Sequence, residues 1–268
     1  MQRDWNEEFA NSAYIPGSEI LPELWANNAA DYRASMPVQL DIAYGDAPRN
    51  LLDLVFPEGT SKGLVVFVHG GFWTECSKSD WTDLAEGMRL NGWTVAIPGY
   101  TLAPNAKIFE IVGEITAAIT KAAALIAGPI KLVGHSAGGH LVTRMICQNS
   151  LLDKAILARI QNVMSISGVH DLRLLQKTRL NEKLRLDDAE AECQSPVLLR
   201  PLSTIPVTCW VGANERPEFI RQSRLLAMIW DGMVPIKLIE EVGHNHYSIL
   251  ENLKKPASAL VRELLASG

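Results

Sequence analysis

Ile130-Lys131-Leu132-Val133-Gly134-His135-Ser136-Ala137-Gly138-Gly139-His140-Leu141-Val142 reads as a short apolar strand, a Gly-x-Ser-x-Gly turn and the start of a helix. Leu132 and Val133 precede the turn. Leu141, Val142, Met145 and Ile146 follow it at helical spacing, so the hydrophobic period changes across the turn. A serine in that context is a nucleophile elbow. So tight a turn forces Ser136 into strained backbone geometry. Gly134 and Gly138 fall where a side chain would collide with the neighbouring strand or helix. The hydroxyl is then held at the C-terminal edge of a sheet, at the positive end of a helix dipole. The five-residue pattern alone is common; its flanks make it informative.

Outward from this stretch, strands and helices alternate. Residues 39–44 and 51–56 read as two strands joined by the turn 45–50. Residues 64–68 form a continuous apolar, β-branched run, as in a strand buried on both faces. A helix is expected over 79–91, ended by Gly92, then a strand over 93–97 and a long alanine-rich helix over 108–127. Further strands fall at 160–167, 207–211 and 236–241, with helices over 217–232 and 247–266. The alternation implies an α/β fold: a mostly parallel sheet of about eight strands with helices on both faces and an antiparallel edge at its start. One domain spanning 1–268 is expected, with residues 1–38 as an N-terminal arm, helical over about 18–36. Residues 171–202 break the alternation with charged, helical sequence after the sixth strand. They read as an insertion, either a lid or a peripheral excursion.

The 268 residues are enough for one large α/β domain with a substantial core. A net charge of −5 gives no reason to expect nucleic acid or an anionic membrane surface. Cys76, Cys147, Cys193 and Cys209 have neither zinc-ligand spacing nor the look of a disulfide framework. The N-terminal sequence MQRDWNEEFANS lacks a basic segment followed by an apolar one, and no stretch of transmembrane length is free of charge. The expectation is a cytoplasmic protein with a small-molecule substrate, no metal and no organic cofactor. A homodimer is left open.

A serine nucleophile needs oxyanion donors, a base and an acid that orients the base. His69-Gly70-Gly71-Phe72-Trp73 follows directly on the strand 64–68, and its two glycines let backbone N–H groups approach an oxyanion. The N–H groups of Gly71, Phe72 and Ala137 are the candidate oxyanion hole. Two histidines follow the last strand; His246, just before the terminal helix, is preferred to His244 as base. Glu215 is the first carboxylate after the strand 207–211 and the candidate acid, with Asp171 in reserve.

With these residues in view, the chain resembles the α/β-hydrolase type of kynurenine formamidase (arylformamidase), close to the esterase and lipase families. The resemblance runs from about Tyr44 to Leu253. It is carried by Tyr44-Gly45-Asp46, the segment His69 to Trp73, Gly99-Tyr100 with Ala103-Pro104, and the segment Gly134 to Gly138. Ser167-Gly168-Val169 with Asp171-Leu172, Ser195-Pro196, Pro217-Glu218-Phe219 with Arg221-Gln222-Ser223, and His246-Tyr247 with Ile249 and Glu251-Asn252-Leu253 complete it. Trp73 discriminates most, and hormone-sensitive-lipase-like esterases carry a further glycine where Phe72 stands. The resemblance implies an α/β-hydrolase fold and hydrolysis of N-formyl-L-kynurenine. The family's serine falls on Ser136, its histidine on His246 and its aspartate, a departure, on Glu215. Phe72, Trp73 and Tyr100 are candidate walls of an aryl slot. A general carboxylesterase or thioesterase shares this chemistry. A non-catalytic binding module is the remote alternative, and the intact triad types argue against it.

Overall fold

The computed structural model describes residues 3–202 and 204–266. Met1, Gln2, Ser203, Ser267 and Gly268, parts of the expected domain, lie outside them. In chain order the elements are α1 (Trp5–Glu8), α2 (Leu21–Ser35), β1 (Val38–Ala43), β2 (Leu51–Val55), β3 (Leu64–Val68), α3 (Glu86–Leu90), β4 (Thr94–Pro98), α4 (Ile108–Leu125), β5 (Ile130–His135) and α5 (Ala137–Arg144). There follow α6 (Lys154–Leu157), β6 (Ile160–Ile166), α7 (Asn181–Leu184), α8 (Asp188–Cys193), β7 (Val207–Gly212), α9 (Pro217–Trp230), β8 (Ile236–Glu241) and α10 (Ala259–Leu265).

The eight strands form one sheet in the order β1-β2-β4-β3-β5-β6-β7-β8. The β1–β2 and β2–β4 pairs are antiparallel and the rest parallel. This is the mostly parallel eight-stranded sheet expected from the alternation, and the α/β-hydrolase fold that the resemblance implies. On β3, Leu64, Val66 and Val68 face one core while Val65 and Phe67 face another, which is why that strand reads as an unbroken apolar run. The first core lies under α4, whose Ile108, Ile111, Val112, Ile115, Ile119 and Ala122 make one inward stripe. The second is closed by Leu250 and Leu253 with Leu260 and Leu264 of α10.

The chain moves outward from β3 to β4, then crosses back to β5 on the other side of β3. The loops after β3 and β5 therefore part at a topological switch point, where α/β sheets open a crevice. Register carries this across the sheet. Val68 pairs with Gly134, His135 with Ile166, Ile166 with Trp210, and Gly212 with Glu241. The C-terminal ends of five strands thus lie in a row.

Two expected helices are broken. Over 79–91, a capping box between Ser77 and Asp80 starts a 3-10 turn (Lys78–Asp80), and Trp81, with φ −132°, interrupts the helical path before a second turn (Thr82–Ala85). The interruption serves packing: Lys78 reaches Asp53 (2.6 Å) and Asp41 (2.8 Å), while Trp81 enters the second core. Over 247–266, a 3-10 stretch (Ser248–Lys254) ends before Pro256, and α10 starts afresh with Ser258 accepting from the Val261 N–H. Residues 171–202 are an excursion of four short helical pieces after β6, including α7 and α8.

Candidate active site

Ser136 stands at the end of β5 with φ 54° and ψ −117°, the strained geometry expected of an elbow. Its N–H donates to Ile166 O at 2.8 Å, which ties the turn to β6. A Cβ on Gly134 would lie 2.1 Å from Gly138 O, and one on Gly138 would lie 1.9 Å from Val68 O. Neither position admits a side chain, so the helix can start directly behind the serine.

The loop after β3 runs through positive φ at Gly71 (99°), Phe72 (47°) and Trp73 (58°). Two aromatic groups brace it. His69 donates from Nδ1 to Gly70 O (2.8 Å) and stacks on Tyr100 at 4.3 Å. The Tyr100 hydroxyl donates to His69 O (3.0 Å) and Gly70 O (3.2 Å). The loop carbonyls are thereby occupied. The N–H groups of Gly71, Phe72 and Ala137 find no backbone acceptor among the described residues. A Cβ on Gly70 would come within 2.9 Å of the Ser136 Cβ, so the loop passes directly beside the serine.

His246 is buried and donates from Nδ1 to Glu215 Oε2 at 2.7 Å. Glu215 Oε1 accepts from Ser167 Oγ (2.5 Å) and from Gly212 N–H (2.8 Å), so this carboxylate is fixed at both oxygens. The His246 ring lies between His135 (4.5 Å) and Phe219 (4.3 Å). His135 donates from Nε2 to His246 O at 2.9 Å and holds the backbone of that loop. Burial first, and His246 second, push His135 well below the usual histidine range, so it stays neutral. Asp171 is elsewhere: it caps a 3-10 turn and pairs with Arg173 at 2.9 Å. His244 faces Ser248 and Asn252 at 3.3 Å and does not reach Glu215. Among the described residues no hydrogen bond joins the Ser136 hydroxyl to His246, though both line one cavity. Such bonds commonly tighten only when substrate is bound.

That cavity measures about 760 Å³, within the range of small-molecule sites. Gly70, Gly71, Phe72, His135, Ser136 and His246 form one wall. Another is formed by the N-terminal arm, from Phe9 to Trp25, and by Thr178, Arg179, Leu180 and Lys183 of the insertion. The arm is fixed across the site: Asn6 Oδ1 accepts from Arg179 N–H (2.8 Å), Ser12 and Tyr247 hydroxyls meet at 2.7 Å, and the Arg216 guanidinium donates to Glu7 O at 3.1 Å. Phe9 joins Phe72 (6.4 Å) and Phe219 (5.9 Å) in an aromatic cluster. Sequence reasoning missed the arm as part of the site, and only the aromatic residues Trp5, Phe9 and Trp25 in a polar segment hinted at it.

Two expected walls are corrected. Trp73 and Tyr100 are fully buried and absent from the cavity lining. Trp73, with φ 58°, packs inward against His140 at 5.1 Å. Tyr100 is used by the loop carbonyls. Phe72 does line the cavity. Cys76 also lines it, but burial pushes its thiol up to about 12, so it stays protonated and offers no thiolate to the cavity. Among the described residues no group of three or more His, Cys, Asp or Glu is placed to hold a metal ion, and no helix is long and apolar enough to cross a membrane.

The chain is similar to the kynurenine formamidase of Danio rerio, 28% identical over 237 residues that cover 84% of this chain and 80% of that one. It is similar to a solved Silicibacter sp. protein provisionally described as a thioesterase, with 42% identity, a TM-score of 0.94 and coverage of 99% and 100%. Esterase B of Lactobacillus rhamnosis shares the fold at 18% identity and a TM-score of 0.70, over 92% of this chain and 91% of that one. The BD-FAE family model matches residues 52–224, from β2 into α9. With its sheet order and its elbow at the end of β5, this chain belongs to the BD-FAE family and is a hydrolase of the α/β-hydrolase superfamily.

Proposed function

We propose that the protein is a serine hydrolase that cleaves an aryl formamide, with N-formyl-L-kynurenine as the substrate and L-kynurenine and formate as products. The observation that carries the reading is the chain Glu215–His246 ending in the cavity that Ser136, Gly71 and Phe72 also line, with the N–H groups of Gly71 and Phe72 lacking a backbone acceptor. Likeness to kynurenine formamidases over most of the chain supports the choice of substrate.

His246 takes the Ser136 proton at Nε2 as Oγ attacks the formyl carbon. The oxyanion is received by the N–H groups of Gly71, Phe72 and Ala137, each worth about 3 kcal/mol of barrier. The imidazolium, its charge balanced by Glu215, then protonates the departing arylamine nitrogen as the C–N bond breaks. Water, deprotonated by His246, attacks the formyl ester and releases formate and Ser136. The glutamate serves where an aspartate is usual because Gly212 N–H and Ser167 hold its other oxygen in place.

A carboxylesterase or thioesterase is the second reading, favoured by the likeness to the Silicibacter protein. Values of kcat/KM on N-formyl-L-kynurenine, para-nitrophenyl acetate and a short acyl thioester, with Ser136→Ala as blank, decide between them. A preference for the formamide of at least about 100-fold upholds the first reading. Turnover of esters or thioesters without formamide moves the enzyme to the second.

A further inference from the structure

The mechanism uses one wall of the cavity and leaves the other unassigned. That wall carries two cations, Arg179 and Lys183, in a protein whose net charge is −5. Neither side chain takes part in an ion pair or hydrogen bond among the described residues. By contrast Arg89, Arg173, Arg221 and Arg224 are all spent on carboxylates. Two carboxylates also line the cavity, from the segment after β3. Asp80 is occupied as acceptor for Ser77 N–H at 2.7 Å, and Glu75 is exposed.

A second observation lies on the arm. Asn11 is only 5% exposed, yet neither its Nδ2 nor its Oδ1 has a hydrogen-bond partner. It borders both the main cavity and a neighbouring one of about 130 Å³ beside Glu215 and His246. A buried amide without partners costs about 1–3 kcal/mol. A bound molecule with a polar group at this place would satisfy it.

We propose that Arg179, Lys183 and the Asn11 amide form a carboxylate subsite, so that the enzyme selects acyl donors whose leaving group carries an anion. The inference rests on the hydrolase reading and deepens it: the aryl ring fills the apolar middle near Phe9 and Phe72, and the carboxylate sits between arm and insertion. The two segments are already tied by Asn6 and the Arg179 N–H, and all three groups of the subsite belong to the lining of one cavity.

The test uses two matched substrate pairs, meta-formamidobenzoate with its primary amide, and meta-acetoxybenzoate with its primary amide. The readout is the ratio of kcat/KM for anion over neutral partner. Both are measured on one sample, so the ratio does not depend on the fraction of folded enzyme. Wild type favours the anion, mainly through KM, and the preference shrinks as salt rises. Arg179→Gln with Lys183→Gln lowers the ratio about tenfold. Asn11→Asp, of the same shape but negative, lowers it at least as far. A wild-type ratio near or below one, or a ratio unmoved in both variants, overturns the subsite. Anion preference on esters with no formamide turnover keeps the subsite and overturns the formamidase reading; formamide turnover without anion preference does the reverse.

Discussion

The wall formed by Gly70, Phe72, Ser136 and His246 grows out of the ends of paired strands, whereas the other, from Phe9 to Trp25 and from Thr178 to Lys183, is laid over them by segments that give no strand to the sheet. The first is fixed by register: Val68 beside Gly134 and Gly212 beside Glu241 leave the groups beyond them little freedom. The second is held by a few side-chain contacts, such as Ser12 with Tyr247 and Asn6 with Arg179. On the proposed function the difference separates two tasks: chemistry that tolerates little displacement is placed on the sheet, and recognition on parts that can differ without disturbing it.

The comparison breaks first where the effect should be largest. Ser136→Ala abolishes turnover on every substrate and leaves thermal unfolding within a few degrees of wild type. His246→Ala lowers kcat by at least about 10³. His244→Ala does not approach that loss; if it did, the base would be the other histidine. Glu215→Gln keeps the shape but gives His246 the wrong partner, and kcat falls about 10³- to 10⁴-fold. Asp171→Asn, remote from His246, changes kcat less than about threefold. Steady-state kinetics on the five variants reads the strand-end wall directly.

The histidines give the next test. His69, His135, His140 and His170 are fully buried, and burial holds His69 at about 4 and His140 and His170 at about 3, with His135 also well below the usual range. The unfolded chain takes up protons at these groups below about pH 6.5, while the folded protein does not. Stability is therefore complete above that pH and is lost progressively as pH falls towards the folded values, on the order of 1 kcal/mol per histidine per pH unit. None of the four lies on the arm or the insertion. Urea unfolding from pH 7.5 to 5 should show a steep decline, and a flat profile would mean that these rings are not held neutral. Phe9→Ala addresses the other wall. It removes a ring packed on Phe72 and Phe219, costs about 3 kcal/mol of stability and raises KM more than it lowers kcat.

The strand-end wall was legible because its rules are local. The elbow announces itself in five residues and their flanks. The order serine, carboxylate, histidine follows the strands, and Glu215 was found as the first acid after β7. The arm obeyed no such rule. Nothing within residues 4–25 says that Phe9 will meet Phe72 and Phe219, because that contact joins positions far apart in the chain. The broken helices at 79–91 and 247–266 failed for a related reason: propensity favoured helix, but Trp81 is claimed by the second core and Pro256 ends the turn before it. Trp73 and Tyr100 were misplaced because aromatic residues beside a glycine loop look alike whether they face ligand or core.

Tyr100 offers the smallest effect and the finest distinction. Its hydroxyl is buried outside the cavity lining; it donates to the carbonyls of His69 and Gly70, one step before the N–H groups of Gly71 and Phe72. If those two hydrogen bonds aim the donors, Tyr100→Phe leaves the ring stacked on His69 but frees the loop to turn. The cost then appears in kcat, about five- to tenfold, with KM little changed, because an oxyanion donor acts only in the transition state. Stability falls by about 1 kcal/mol, chiefly for the His69 carbonyl, since Gly70 O keeps the His69 Nδ1 donor. If instead the left-handed geometry of Gly71, Phe72 and Trp73 already fixes the loop, the variant loses the same stability but keeps its kcat. The kcat of this one variant thus separates a loop held by its own backbone from a loop held by the strand beside it.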